Sequence, residues 1–214
     1  EPFWRERLEA TPNDLTLNQW HHLNEGQTID GLQGIVGADI GSVSAWDITV
    51  GNGDPLIAIV DTGIYRGHEE LQGRLYRNPD EICDNGLDDD DNGYVDDCDG
   101  WDVGDDDPDP DSVTLPEDNI DGDTCKRWHG TGIAGLAVAT GNNVEGIAGV
   151  NWNGTVLNIK KYPDRSCIST SGNSIEGIAY AIDSGARVLV LAFSGSTYSE
   201  TFQRLLREAD AKGI

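Results

Sequence analysis

Apolar runs punctuate the chain at 56–60 and 188–191, with Val156-Leu157-Asn158-Ile159 reading as a further strand between them. Continuous apolar runs of four to eight residues are the pattern of strands buried on both faces, as in parallel sheets. Helical patterns lie between and after them. Residues 133–140 are small and apolar and predict a buried helix that permits close packing. In 174–184, Ile175, Ile178, Ala179 and Ile182 recur at helical spacing, and Gly185 ends the run. Residues 198–212 form another such pattern, closed by Gly213. Ala45-Trp46-Asp47 reads as part of a short helix. Strand and helix alternate, so the expected class is α/β: a doubly wound, mostly parallel sheet sandwiched by helices.

That alternation is interrupted by charge. The 214-residue chain carries a net charge of -25, and 20 of its 39 acidic residues lie between Asp80 and Asp123, where there is no Lys or Arg. The rest holds 19 acids against 14 bases, an ordinary balance. Residues 78–125 therefore read as an acidic insertion, rich in Gly, Pro, Asn and Asp and so a loop rather than regular structure. A loop of this length implies a dedicated function or a ligand that orders it. Nucleic acid and anionic membranes are disfavoured partners because both would be repelled. Residues 1–41 read as an arm packed over the core, with Trp4 and Trp20 as apolar anchors.

Candidate chemistry sits at two places. Ile57-Ala58-Ile59-Val60-Asp61-Thr62-Gly63 ends a strand in a carboxylate and a glycine turn. His129-Gly130-Thr131-Gly132-Ile133-Ala134-Gly135 opens a small-residue helix with a histidine. Reacting groups in α/β sheets gather beyond the carboxyl ends of the strands, where this Asp and His can meet. Both segments, in this order, resemble the Asp and His motifs of the subtilisin-like serine proteases (subtilases). Pro12-Asn13-Asp14, Gln19-Trp20, Ala45-Trp46-Asp47-Ile48-Thr49 and Gly146-Ile147-Ala148-Gly149-Val150 are similar to further landmarks of that family. The resemblance implies a subtilisin-like fold, peptide or protein substrates, and Asp61 and His129 as two members of a Ser-His-Asp triad.

Three features depart from the family pattern. The serine is expected about 190 residues beyond the Asp when no insertion intervenes, past Ile214, and no Gly-Thr-Ser-x-Ala segment occurs. Gly132 replaces the second His of the usual His-Gly-Thr-His. The segment that pairs with substrate as an added strand, usually Asn-x-Ser-x-Gly, reads Leu191-Ala192-Phe193-Ser194-Gly195, so Phe193, Ser194 and Gly195 are the candidate substrate-binding residues. The chain ends where a further strand is expected, which predicts that the remainder of the domain follows or is a separate fragment. The chain thus reads as the N-terminal portion of one catalytic domain, residues 1–214, with a processed N-terminus at Glu1.

The insertion suggests Ca2+. Asp88-x-Asp90-x-Asn92-Gly93-Tyr94 matches the first half of a calcium loop, with oxygens at positions 1, 3 and 5, Gly at 6 and a carbonyl at 7. Asp99 stands at position 12, and Asp96 or Asp97 offers an alternative closing oxygen. The resemblance implies a second calcium, tying the arm to the core through Asp14, Glu70, Asn143 and the carbonyls of Glu145 and Ile147. His21-His22 and His68-Glu69-Glu70 suggest no zinc site, since HExxH is absent. Four cysteines without a CxxC pair fit an oxidising, secreted setting. Bridging Cys83 to Cys98 would staple the densest acidic stretch and leave Cys125 for Cys167, although four cysteines allow three pairings.

The leading expectation is a secreted, calcium-dependent serine endopeptidase. The alternatives are an inactive subtilase homologue serving as a calcium-stabilised binding module, or an acidic extracellular domain with no active site, which requires Asp61 and His129 to lie far apart.

Overall fold

The computed structural model describes residues 11–112, 128–166, 168–195 and 198–214. Trp4, Cys125 and Cys167 lie outside them. A two-stranded antiparallel hairpin (β1, Thr28–Ile29; β2, Leu32–Gln33) and a short helix (α1, Ser42–Trp46) precede the sheet. The sheet holds β3 (Leu56–Asp61), β4 (Trp101–Asp102), β5 (Thr155–Lys160) and β6 (Val188–Val190), parallel throughout, in the order β4-β5-β3-β6. Helices α2 (His129–Val138), α3 (Ser171–Asp183) and α4 (Glu200–Lys212) complete the described chain.

Strand periodicity makes the layers. On β3, Ala58 and Val60 face a core shared with Leu157, Ile159, Ile178, Ala181 and Ala209, which lie on β5, α3 and α4. Ile57 and Ile59 face the opposite core with Val156, Ala134 and Val138, the last two on α2. Helices therefore cover both faces, the arrangement that a continuous apolar run on β3 predicts.

The arm is anchored differently from expectation. Trp20 is 49% exposed, and the seam is made instead by Gln19, whose side-chain amide donates to the Ala148 carbonyl at 2.7 Å, and by buried His22. His22 packs against Trp46, which packs against Trp152. Polar residues fixed by directional bonds hold this seam, which an apolar-anchor reading misses.

Other elements also differ in extent from expectation. α2, opened by His129 as its motif implied, ends at Val138, and α3 begins at Ser171 because Thr170 and Asn173 form a capping box. The insertion is not wholly loop. It contributes β4, pairing Trp101 with Ile159 and Asp102 with Lys160, a two-residue strand too short for any periodicity to reveal. Strand β6, expected to be buried, is an edge strand among the described residues, with Val188 40% exposed. Asn158, the polar residue inside the β5 run, is fully buried, and its amide donates to the Pro110 carbonyl at 2.8 Å. It thereby ties the returning end of the acidic segment across the sheet.

Candidate functional site

Asp61 is the last residue of β3, and its side chain is 4% exposed. One carboxylate oxygen accepts from its neighbour Thr62 N–H at 2.7 Å and from His129 Nδ1 at 2.8 Å. A carboxylate only accepts, so Nδ1 carries the hydrogen and the other ring nitrogen is left as a proton acceptor. The imidazole is 36% exposed, so it faces solvent while its partner is buried. Two glycines permit the approach. A Cβ at Gly130 would lie 2.4 Å from the Gly63 carbonyl oxygen, and Gly63 itself adopts φ +87°. Gly130 N–H donates to Thr62 Oγ1 at 2.9 Å, and Tyr65 N–H donates to Thr131 Oγ1 at 3.0 Å, fixing the start of α2 against the β3 turn. The third reading of the sequence, with Asp61 and His129 far apart, is thereby overturned.

Beside this pair, Lys161 follows β5, and its backbone N–H donates to the Asp61 carbonyl at 2.9 Å. The Phe193–Ser194–Gly195 segment follows β6. Phe193 presents its ring to the Lys161 ammonium, which lies 3.3 Å from the ring centroid. The candidate substrate segment is thus next to the Asp–His pair, with Ser194 and Gly195 exposed.

The sequence profile of the subtilase family matches residues 52–214. The chain belongs to the subtilase family. It is 30% identical over 169 residues to a thermophilic serine proteinase of a Bacillus species, covering 79% of this chain and 33% of that relative. It is 32% identical over 169 residues to thermitase of Thermoactinomyces vulgaris, covering 79% of this chain and 47% of that relative. The chain thus spans half or less of the length of these curated relatives. A protease structure from Pseudoalteromonas arctica superposes with a TM-score of 0.66 at 24% identity, covering 96% of this chain and 57% of that one. At that identity the likeness is one of fold, and the fold is subtilisin-like.

In this subtilase the acidic insertion forms a built cluster. Carboxylate oxygens of Glu81, Asp90 and Asp97 all lie within 4.8 Å of one another. Asp97 is 1% exposed and accepts from the Asn78 amide at 2.7 Å, the Asn92 amide at 3.0 Å and the Tyr180 hydroxyl at 2.7 Å. Burial and that bond to Asp97 both raise the Tyr180 pKa, so the phenol stays protonated. Asp88 accepts from Asn92 and Gly93 N–H at 3.0 and 2.8 Å, and Tyr94 N–H donates to Asn92 Oδ1 at 2.8 Å, closing the turn expected of the motif. Asp88 is thus spent on the turn and outside the three-acid cluster, and two further candidates do not join it either. Asp96 accepts from the Asn85 and Gly86 N–H groups, and Asp99 pairs with Arg66 at 2.9 Å and Arg77 at 3.4 Å. The sequence reading missed Glu81. It is 8% exposed, its Oε1 accepts from Asp89 N–H at 2.8 Å, and its Oε2 is buried with no hydrogen bond. It stands seven residues before Asp88 and outside the motif's span, so no spacing rule would select it. The bridge between Cys83 and Cys98 is present and closes this loop.

The second expected cation site is also drawn together. Asp14 Oδ2 accepts from Asn143 N–H at 2.9 Å, while its Oδ1 and both oxygens of Glu70 are buried without a hydrogen bond. Burial raises the Glu70 pKa; the Asn143 side chain tempers this and the Asp14 and Glu145 charges add to it. The 143–147 loop wraps this pair closely enough that a Cβ at Gly146 would meet Glu70 Oε1 at 2.4 Å. Buried carboxylate oxygens without donors are what a hard cation requires; Asp14 Oδ1 and both Glu70 oxygens meet that test, and in the first cluster Glu81 Oε2 does.

A third acidic group, Asp102, Asp105 and Asp164, is different. Lys160 Nζ lies 2.7 Å from Asp102 and is ion-paired with Asp164. Burial pushes Asp102 up to about 6 although Lys160 opposes it. On Lys160, burial acts to lower the pKa, but the bonds to Asp102 and Asp164 outweigh it. Here the chain supplies its own cation.

Proposed function

We propose that this chain is the N-terminal portion of the catalytic domain of a secreted, calcium-dependent serine endopeptidase. Residues 1–41 are its arm and 78–125 its calcium-binding insertion. The observation that carries this reading is the 2.8 Å contact between a buried carboxylate and a half-open imidazole. Asp61 holds the His129 ring in one tautomer and stabilises the imidazolium when it forms. His129, through its free nitrogen, takes the proton of a serine hydroxyl contributed from beyond Ile214 and returns it to the leaving amine. Phe193, Ser194 and Gly195 line the strand on which the peptide is laid.

Calcium would be held by Glu81, Asp90 and Asp97, with Asp88, Asn92 and Tyr94 shaping the loop, and by Asp14, Glu70 and the 143–147 segment. When bound it supplies positive charge to these buried carboxylates and fixes the arm and insertion; it takes no part in bond cleavage. Among the described residues no helix is long and apolar enough to cross a membrane. The Cys83–Cys98 bridge supports an oxidising compartment.

The test is labelling of the full-length protein by a fluorophosphonate probe, with peptide hydrolysis assayed in calcium. Labelling and turnover that are both lost on His129→Ala are the expected result. A folded, calcium-loaded protein that neither labels nor cleaves overturns the reading in favour of an inactive binding module.

A further inference from the structure

In a chain with a net charge of -25, Lys161 is buried where no carboxylate of the described residues pairs with it. Lys161 is 4% exposed and has no ion pair among the described residues. Its ammonium, with three hydrogens to donate, makes one hydrogen bond, to Ser174 Oγ at 3.0 Å, and rests on the Phe193 ring. The Asp61 charge acts on it, but that carboxylate is committed to His129 and Thr62. This lysine sits in the wall of a cavity of about 470 Å³. The cavity lies between the start of α3 at Thr170 and Ser174, the Phe193–Ser194–Gly195 segment, and Tyr198 and Phe202 at the start of α4. The described lining contains hydroxyls and aromatic rings but no acid.

An ammonium taken out of water without an anion is costly, and its neighbouring ring and hydroxyl offset only part of that. Burial accordingly lowers its pKa to about 8, with Asp61 opposing, so it is still charged at neutral pH. A carboxylate entering the cavity would find a desolvated cation, hydroxyl donors and no competing acid. Peptide laid along residues 193–195 directs alternate side chains to the same side, and the cavity adjoins that track. We propose that this cavity is a subsite for an Asp or Glu side chain of the substrate, with Lys161 as its counter-ion. The proposal rests on the peptidase reading and adds a substrate class to it.

The experiment uses the full-length protein in calcium and 0.15 M salt, where long-range repulsion by the acidic surface is screened. Fluorogenic hexapeptides carry a single Glu walked through each position, each paired with its Gln counterpart. At one position kcat/KM for Glu should exceed that for Gln by about 10- to 100-fold, the range of a charge-assisted hydrogen bond. Lys161→Met should bring that ratio to near one, and Lys161→Arg should retain most of it. A wild-type protein with no Glu preference at any position, or a preference that survives Lys161→Met, overturns the proposal. If no peptide is cleaved, the peptidase reading has failed, and fluorescence anisotropy of the same labelled peptides then reads the cavity directly. Tighter binding of the Glu peptide that depends on Lys161 still supports the subsite, and equal binding of Glu and Gln peptides overturns it.

Discussion

Two carboxylate clusters of this molecule meet the same electrostatic problem in opposite ways. Around Asp102 the chain supplies Lys160, buried to 3% exposure and paired with two acids, so the charge is neutralised within the fold. Around Glu81, Asp90 and Asp97 the described residues supply amides and a phenol but no cation. The first cluster is neutralised when the protein folds, and the second is the one for which calcium is proposed. The difference explains how an insertion with no Lys or Arg between Asp80 and Asp123 can still be threaded into the sheet: its strand, β4, crosses at the place where β5 offers a lysine.

The largest way to break that contrast is Lys160→Met. It strands Asp102 in the interior and should cost about 3–5 kcal/mol in denaturant unfolding at pH 7. Asp102 has a folded pKa above its unfolded value, and that pKa should climb further without Lys160. The loss should therefore shrink as pH falls towards 4 and the carboxyl protonates in both states. A loss that does not vary with pH would show that packing, not charge, is what Lys160 provides.

Opening the Cys83–Cys98 bridge should cost about 3 kcal/mol, the entropy of a loop closed over a 15-residue separation. The deficit of the Cys83→Ser/Cys98→Ser protein should be greater in EDTA than in calcium, since a bound ion constrains the same loop. Unfolding midpoints measured in both buffers check this.

Calcium itself should stabilise by roughly 3 kcal/mol at a hundredfold excess over its dissociation constant. Glu81→Gln sharpens the comparison because the sign should reverse with conditions. It should lower the midpoint in calcium by removing a ligand, and leave it equal or higher in EDTA by removing repulsion. The same sign in both buffers would make the cluster an ordinary acidic turn. Asp99→Asn, at a residue engaged by Arg66 and Arg77, should leave the calcium-dependent increment unchanged.

The smallest effect belongs to the arm. His22 is 1% exposed; its Nε2–H donates to the Ala148 carbonyl at 3.2 Å, and Nδ1 accepts from Ser42 at 2.7 Å. Burial, then the charge of His21, lower its pKa to about 4 from 6.5, against the Ala148 bond. The folded state lacks a proton that the unfolded chain binds below pH 6.5, so stability present above 6.5 is lost as pH falls towards 4. Between pH 7 and pH 5 the loss is about 2 kcal/mol, and His22→Gln should remove that slope from the unfolding profile.

Much of the candidate site was legible before folding. Asp61 and His129 each sit at an element boundary, and such boundaries are set by local signals: an apolar run that stops, and a small-residue helix that starts. The three major strands and the helices that cover them follow for the same reason. Pairing of Cys83 with Cys98 was readable only as one of three possibilities. What escaped was whatever depends on a partner distant in sequence. Trp20 is apolar yet half exposed, and β4 is two residues long. Glu81 lies outside the calcium motif, while Asp96 and Asp99, inside or beside it, turn to backbone amides and arginines.

The amino-acid order by itself determined the α/β class, the family, and the carboxylate and imidazole at the ends of their elements, because periodicity and turn chemistry are local properties of the chain. Only the tertiary structure decided which acids cluster together and which face an arginine, and that Lys161 beside Phe193 has no ion pair among the described residues. Charge compensation acts through space over a few ångströms, and residues brought that close are here 13 to 83 positions apart in the chain.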